Sequence, residues 1–276
     1  MSNSRARALV GAIVIIVALV ALPSNAFDNI KKGVDLFATG ATGTTIVSFA
    51  NDPLPKDFFC PGSPQFFGEI KLQGVPLVTS PAYVAGETDT IVERLDDVVF
   101  SSYGHGVTPI RVIAIQLKNT NPLWIPCKDY NAEFAVAVCI NHAVAQPVTQ
   151  IDVYNTYGEG GFFKGDIGVV VDLTFMNLTN GDVLPPVQQT IFMRVLDSNR
   201  WMYRPGAGTV EVPYWFGVDT KCNGQVDTGI PGTTNFFPGW NPSMYDCYSK
   251  TVDDEGCHEN PGGDHVHCVG TPCSKN

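Results

Sequence analysis

The run from Ile167 to Met176 constrains the fold of this chain more than any other stretch. Ile167, Val169, Val171, Leu173 and Phe175 are all apolar, and Gly168, Val170, Asp172, Thr174 and Met176 alternate with them. Successive side chains of a strand stand on opposite faces, so one apolar set at period two marks a strand with a face on a core. The pattern recurs. Phe134, Val136 and Val138 oppose Glu133, Ala135 and Ala137, and Ile70 and Leu72 oppose Glu69, Lys71 and Gln73. Further strand candidates lie at 44–50, 110–118, 148–155, 190–196 and 209–217.

Turn chemistry separates these runs. Cys60-Pro61-Gly62-Ser63-Pro64 cannot continue a central strand, because proline has no N–H for the ladder. Asn180-Gly181-Asp182 reads as a hairpin turn, and Gly158-Glu159-Gly160-Gly161 as a flexible loop before the strongest strand. Many short strands with close turn signals predict an all-β, antiparallel β-sandwich; a jelly roll is the nearest competing architecture. A soft boundary at 141–146 leaves two arrangements open. One is a single large sandwich, the other two small halves at 27–140 and 141–223. Ile91, Leu95, Val98 and Val99 suit a short helical stripe with Glu93-Arg94 and Asp96-Asp97 on its wet side, or an edge strand and turn. From residue 224 to 276 the chain reads as an irregular tail rich in cysteine and histidine.

The N-terminus carries an export pattern. Arg5 and Arg7 precede the apolar run 8–22, then come Pro23 and the small residues Ser24 and Ala26. At ~1.5 Å per residue the run spans only roughly 22 Å, short of a bilayer core of about 30 Å. A secretory signal at 1–26, cleaved after Ala26, is therefore expected rather than an anchor. Export places the eight cysteines in an oxidising compartment, where an even count predicts disulfides. Cys60, Cys127, Cys139 and Cys222 lie in the body, and Cys247, Cys257, Cys268 and Cys273 in the tail. Spacing alone leaves their pairing open. No span in the mature chain is long and apolar enough for a membrane.

Losing Arg5 and Arg7 with the signal takes the net charge from −10 to −12. Such a surface repels phosphate backbones, so nucleic acid is not an expected partner. Three segments carry a resemblance: Gly43-Thr44-Thr45-Ile46-Val47-Ser48-Phe49-Ala50, Phe58-Phe59-Cys60-Pro61-Gly62-Ser63 and Pro231-Gly232-Thr233-Thr234-Asn235-Phe236. They resemble segments of an uncharacterised group of exported bacterial all-β proteins. The resemblance implies export and an all-β fold, and it carries no activity.

Candidate sites are few. The tail holds Cys257-His258-Glu259 and Asp264-His265-Val266-His267-Cys268. Imidazole and thiolate are zinc and copper ligands, but oxidised cysteines are not, which leaves His258, His265 and His267. A disulfide-stapled tail with solvated histidines is the leading reading, and zinc or copper capture the alternative. The segment 219–227 has Asp219, Asn223, Gly224 and Asp227 in calcium-loop positions. Lys221 stands where an oxygen ligand belongs and no Glu closes the loop, so a plain turn is expected. Trp201, Tyr203, Trp215 and Trp240 could form a stacking platform for sugars, or sandwich core. His105 and His142 read as loop residues. No Gly-x-Ser-x-Gly elbow, His-Glu-x-x-His pair or phosphate loop is present. The expected protein is secreted and non-catalytic, with a structural or binding role toward a protein or glycan at a cell surface. Carbohydrate binding and metal capture are the alternatives.

Overall fold

A computed structural model describes residues 27–39, 45–156, 158–195, 199–206 and 209–240, with two further short strands at 257–259 and 266–268. Residues 1–26, where a signal is expected, and His265, Cys247 and Cys273 lie outside the described residues. For Trp240, Cys257, His258, His267 and Cys268 the backbone alone is described. The first strands are β1 (Gly33–Phe37), β2 (Thr45–Ser48), β3 (Glu69–Gly74), β4 (Thr79–Ser80) and β5 (Thr90–Arg94). The centre is β6 (His105–Asn119), β7 (Leu123–Pro126), β8 (Asn131–Ile140), β9 (Thr149–Asn155) and β10 (Gly160–Asn177). Then come β11 (Val187–Val195), β12 (Arg200–Met202), β13 (Phe216–Val218), β14 (Thr228–Ile230) and β15 (Phe237–Trp240). The last pair is β16 (Cys257–Glu259) and β17 (Val266–Cys268).

The chain is all-β, with antiparallel sheets packed against one another and no helix among the described residues. The alternating run of the sequence is the second half of β10. Val169, Val171, Leu173 and Phe175 are buried, and so are Phe134, Val136 and Val138 of β8, which pairs with it. The two long strands, β6 and β10, organise the main sheet. β9 lies between their first halves and β8 between their second halves. β8 and β9 thus continue one line across the sheet, with the 141–148 segment as an excursion between them.

That excursion is where the sequence suggests a boundary, and it is tied into the sheet by a side chain. The Val170 N–H donates to Gln146 Oε1 at 2.8 Å, and Gln146 Nε2 donates to the Val170 carbonyl at 3.1 Å. An amide side chain therefore stands in for the missing strand: it satisfies the Val170 N–H and shares the Val170 carbonyl with the Asn141 N–H. One hydrophobic core runs from Ile30 through Val138 to Phe175 and Trp201, on both sides of that point.

A second layer covers part of the outer face. Val34, Leu36, Ile91 and Ala114, from β1, β5 and β6, pack with Phe216, Val218 and Ile230 of the small sheet β14-β13-β4. Residues 90–94 are strand rather than helix, and a register shift between Ile91 and Val92 sends Ile91 to the outer core and Val92 to the inner one. Arg94, read as solvent-facing, is fully buried against Asp35. The chain past Gly224 also enters the sheets: Ile230 and Phe237 are buried, and Phe236 sits in the main core. Their strands are only three and four residues long, too short for a visible period.

The four body cysteines pair as Cys60–Cys127 and Cys139–Cys222, with Cα atoms 5.8 and 6.2 Å apart. No helix among the described residues is long and apolar enough to cross a membrane.

Candidate functional site

The aromatic residues singled out in the sequence have different surroundings. Trp201 is fully buried, stacked on Phe100 and Phe236 at 6.0 and 5.2 Å, with its indole N–H donating to the Tyr154 carbonyl. Its faces are occupied, so it is core and not a platform. Tyr203 packs edge-on against Trp201 at 4.9 Å. Its hydroxyl donates to the Asp28 carbonyl and accepts from Asn155 Nδ2. Burial, with the nearby Asp28 charge, pushes its phenol up to about 12, against the pull of the Asn155 hydrogen bond. Tyr203 tethers the segment at Asp28, ahead of β1, to β9. Trp240 takes the register position opposite Arg200.

Trp215 is different. It is 70% exposed and precedes β13, the middle strand of the small sheet. One face of that sheet, Phe216, Val218 and Ile230, is buried. The other carries the register row Ser80, Gly217 and Gly229, almost without side chains. The six-membered ring of Trp215 lies over Gly229, where a built Cβ would be 3.7 and 3.9 Å from its Cε3 and Cζ3. Val226 covers Gly217 in the same way, more tightly. The result is a shallow shelf: an exposed indole seated on Gly229 beside an exposed Val226 seated on Gly217, with exposed Tyr214 next to it in the chain. The buried face of the same sheet, Phe216, Val218 and Ile230, packs on the main sheet beneath it.

A second aromatic row crosses the main sheet. His105 of β6 lies opposite Tyr154 of β9, which lies opposite Phe162 of β10. The rings stack at 4.7 and 4.5 Å, with interplanar angles of 28° and 11°. Lys164 Nζ sits 5.3 Å from the Tyr154 ring centre, and His105 Nε2 is 2.8 Å from Asp152 Oδ1. These rings spend their faces on one another, as cross-strand pairs do, so the row knits three strands together. His105 is a strand residue, not the loop residue its glycine neighbours suggest. His142 remains in a turn and meets the Thr220 carbonyl at 2.9 Å.

The 219–227 segment is a turn whose oxygens are already engaged. Asp219, fully buried, accepts from the Asn223 and Gly224 N–H groups at 3.2 and 2.6 Å. Asp227 accepts from the Thr220 hydroxyl, the Thr228 hydroxyl and the Lys221 N–H. Burial opposes its charge, but the hydrogen bonds from Thr220, Thr228 and Lys221 together hold the carboxyl below its ordinary value. Cys222, at φ 52°, anchors the turn to β8 through Cys139. Among the described residues, no three His, Cys, Asp or Glu converge on a common metal position.

A cleft of about 240 Å³ opens beside β1 and β15, lined by Leu36, Phe37, Thr88, Phe163 and Pro238 among others. It is smaller than the roughly 300–1,000 Å³ of a drug-sized ligand site. Sequence reasoning missed two features. The glycine row under Trp215 depends on strand register, and the Asp35–Arg94 pair on two strands brought together from distant positions. No protein-family model, curated protein or solved structure matches this chain.

Proposed function

We propose that this chain is a secreted, non-catalytic β-sandwich protein with a binding role outside the cytoplasm, that the Trp215 shelf is its contact surface, and that its ligand is a polysaccharide. The observation that carries the reading is the Trp215 indole, which rests on Gly229 and leaves most of its surface in solvent. Tryptophan is highly buried on average, and an exposed indole on a rigid sheet is the surface on which the apolar face of a sugar ring stacks. The acidic net charge favours neutral or cationic glycans over sulfated ones. Two body disulfides support an oxidising compartment, and the N-terminal pattern supports export to it.

Affinity electrophoresis of the mature protein through gels containing different neutral and amino-sugar polysaccharides tests the proposal. At least one glycan is expected to retard the wild type, and Trp215→Ala to abolish the retardation without changing the melting temperature by more than a degree or two. Retardation that persists in Trp215→Ala removes the shelf. Turnover of any glycan, ester or peptide by the purified protein removes the non-catalytic reading.

A further inference from the structure

β11 leaves one long strand edge open: among the described residues it pairs with β10 alone. Which backbone groups face that edge follows from Val170. Its N–H and carbonyl both meet Gln146, on the side of β10 away from β11. Successive residues of a strand direct these groups to opposite sides. Val169 and Val171 therefore face β11 and bond their register partners, Ile191 and Gln189. The N–H and carbonyl groups of Gln188, Thr190, Phe192 and Arg194 are left aimed outward.

Proteins blunt such edges with short strands, proline, lysine, bulges or a covering segment. The other edge strands of the main sheet carry these devices. β2 and β7 are four residues long, and β7 ends on Pro126. β15 holds Pro238, and β1 is bridged to Thr233. β11 has none of them: its nine residues keep unbroken register with β10 and include no proline, glycine, lysine or acid. Phe192 is 64% exposed on its outer face, while Ile191 is buried on the inner one.

We propose that β11 pairs antiparallel with β11 of a second copy of this chain, extending the main sheet across a two-fold axis at Ile191. In that register Gln188 lies opposite the partner's Arg194, and Thr190 opposite the partner's Phe192. Each such outward pair exchanges two N–H···O bonds. All nine residues are used, and both inner rows stay on one face, which a slip by one residue would undo. The two Phe192 positions are diagonal across the axis, about 7–8 Å apart and within reach of aromatic side chains. Charge favours this meeting point. Chains of net charge −10 repel one another, yet this strip holds no acid and sets each Arg194 opposite a glutamine. The pairing consumes the open edge of both copies, so the assembly closes at a dimer.

The test is light scattering of the purified protein, disulfides intact, over a wide range of concentration, with hydrogen exchange read at the β11 amides. A dimer that dissociates on dilution is expected, with the Gln188, Thr190 and Phe192 amides protected only as it forms. Thr190→Pro removes an outward N–H without touching the β10 ladder, and Phe192→Lys sets a charge beside the axis. Each weakens the dimer by about tenfold or more. A monomer at every concentration overturns the proposal, and so does a dimer of unchanged affinity in both variants. Protection of those amides in a monomer assigns the edge to another segment of this chain and overturns it as well.

Discussion

Arg94 of β5 meets Asp35 of β1 in a bidentate pair with both side chains excluded from water. The contacts are 2.7 Å from Nε to Oδ2 and 2.9 Å from Nη2 to Oδ1. The guanidinium also donates to the Lys31 carbonyl and to Thr234 Oγ1, and lies 5.1 Å from the Phe236 ring centre. One side chain thus ties the entering chain, β1 and the segment before β15 to β5. Burial pushes the Asp35 carboxyl up from its ordinary value, and the charge and hydrogen bonds of Arg94 pull it back.

Removing one partner of this pair strands the other in the core. Arg94→Met is expected to cost about 3–5 kcal/mol, read as the loss of unfolding free energy in urea. Asp35→Leu together with Arg94→Met should cost less than Arg94→Met alone, because no charge is left buried. A double variant as unstable as the sum of its parts would show that the pair does not act as a unit.

Asp89 is buried and forms no salt bridge among the described residues. It accepts from the Thr39 N–H and hydroxyl and from the Thr90 hydroxyl. Burial raises its carboxyl above the ordinary 3.8, although the Thr90 and Thr39 hydrogen bonds lower it. The folded chain therefore holds this proton more tightly than the unfolded chain. Its contribution to stability is fully present below 3.8 and is lost as pH rises through the folded value. Urea unfolding across the acid range should show that loss in the wild type and a flatter profile in Asp89→Asn. Gly74→Ala should destabilise the same corner by about 1–3 kcal/mol, since its Cβ would fall 1.8 Å from Asp89 Oδ2.

Tyr203 links Asp28 to Asn155 through its hydroxyl. Tyr203→Phe should cost about 0.5–1.5 kcal/mol, the net value of a hydrogen bond. The raised phenol also gives an alkaline signature. The folded chain keeps this proton between the ordinary 10.0 and about 12, so stability falls as pH rises through that interval. Ultraviolet titration should find one late tyrosine that disappears in Tyr203→Phe.

The Cys139–Cys222 bond closes a sequence separation of 83 and anchors the 219–227 turn. Cys139→Ser with Cys222→Ser should cost about 2–4 kcal/mol. Amide exchange should accelerate first at Asn223 and Gly224, whose N–H groups are held by Asp219. Unchanged protection there would mean that the Asp219 hydrogen bonds suffice to hold the turn.

The strands were legible where they are long. Alternation located most of β8, much of β3 and the second half of β10, because burial on one face forces period two along each of them. It failed for β14 and β15, which are too short to show a period, and at β5, where two cores bury both faces and hide the alternation. The candidate site was half legible. Trp215 stands out as a residue type, but Trp201 looks the same in sequence and is buried, because burial depends on which face of the sheet a position meets.

Local chemistry therefore determined where the long strands and several of their turns lie, and which cysteines belong to the body. These follow from side-chain periodicity and backbone preference over a few neighbouring residues. Tertiary structure alone decided that Arg94 meets Asp35, that Gln146 replaces a strand beside Val170, and that a glycine row lies under Trp215. Each joins residues distant in sequence through strand register, and register is set by the packing of the whole core.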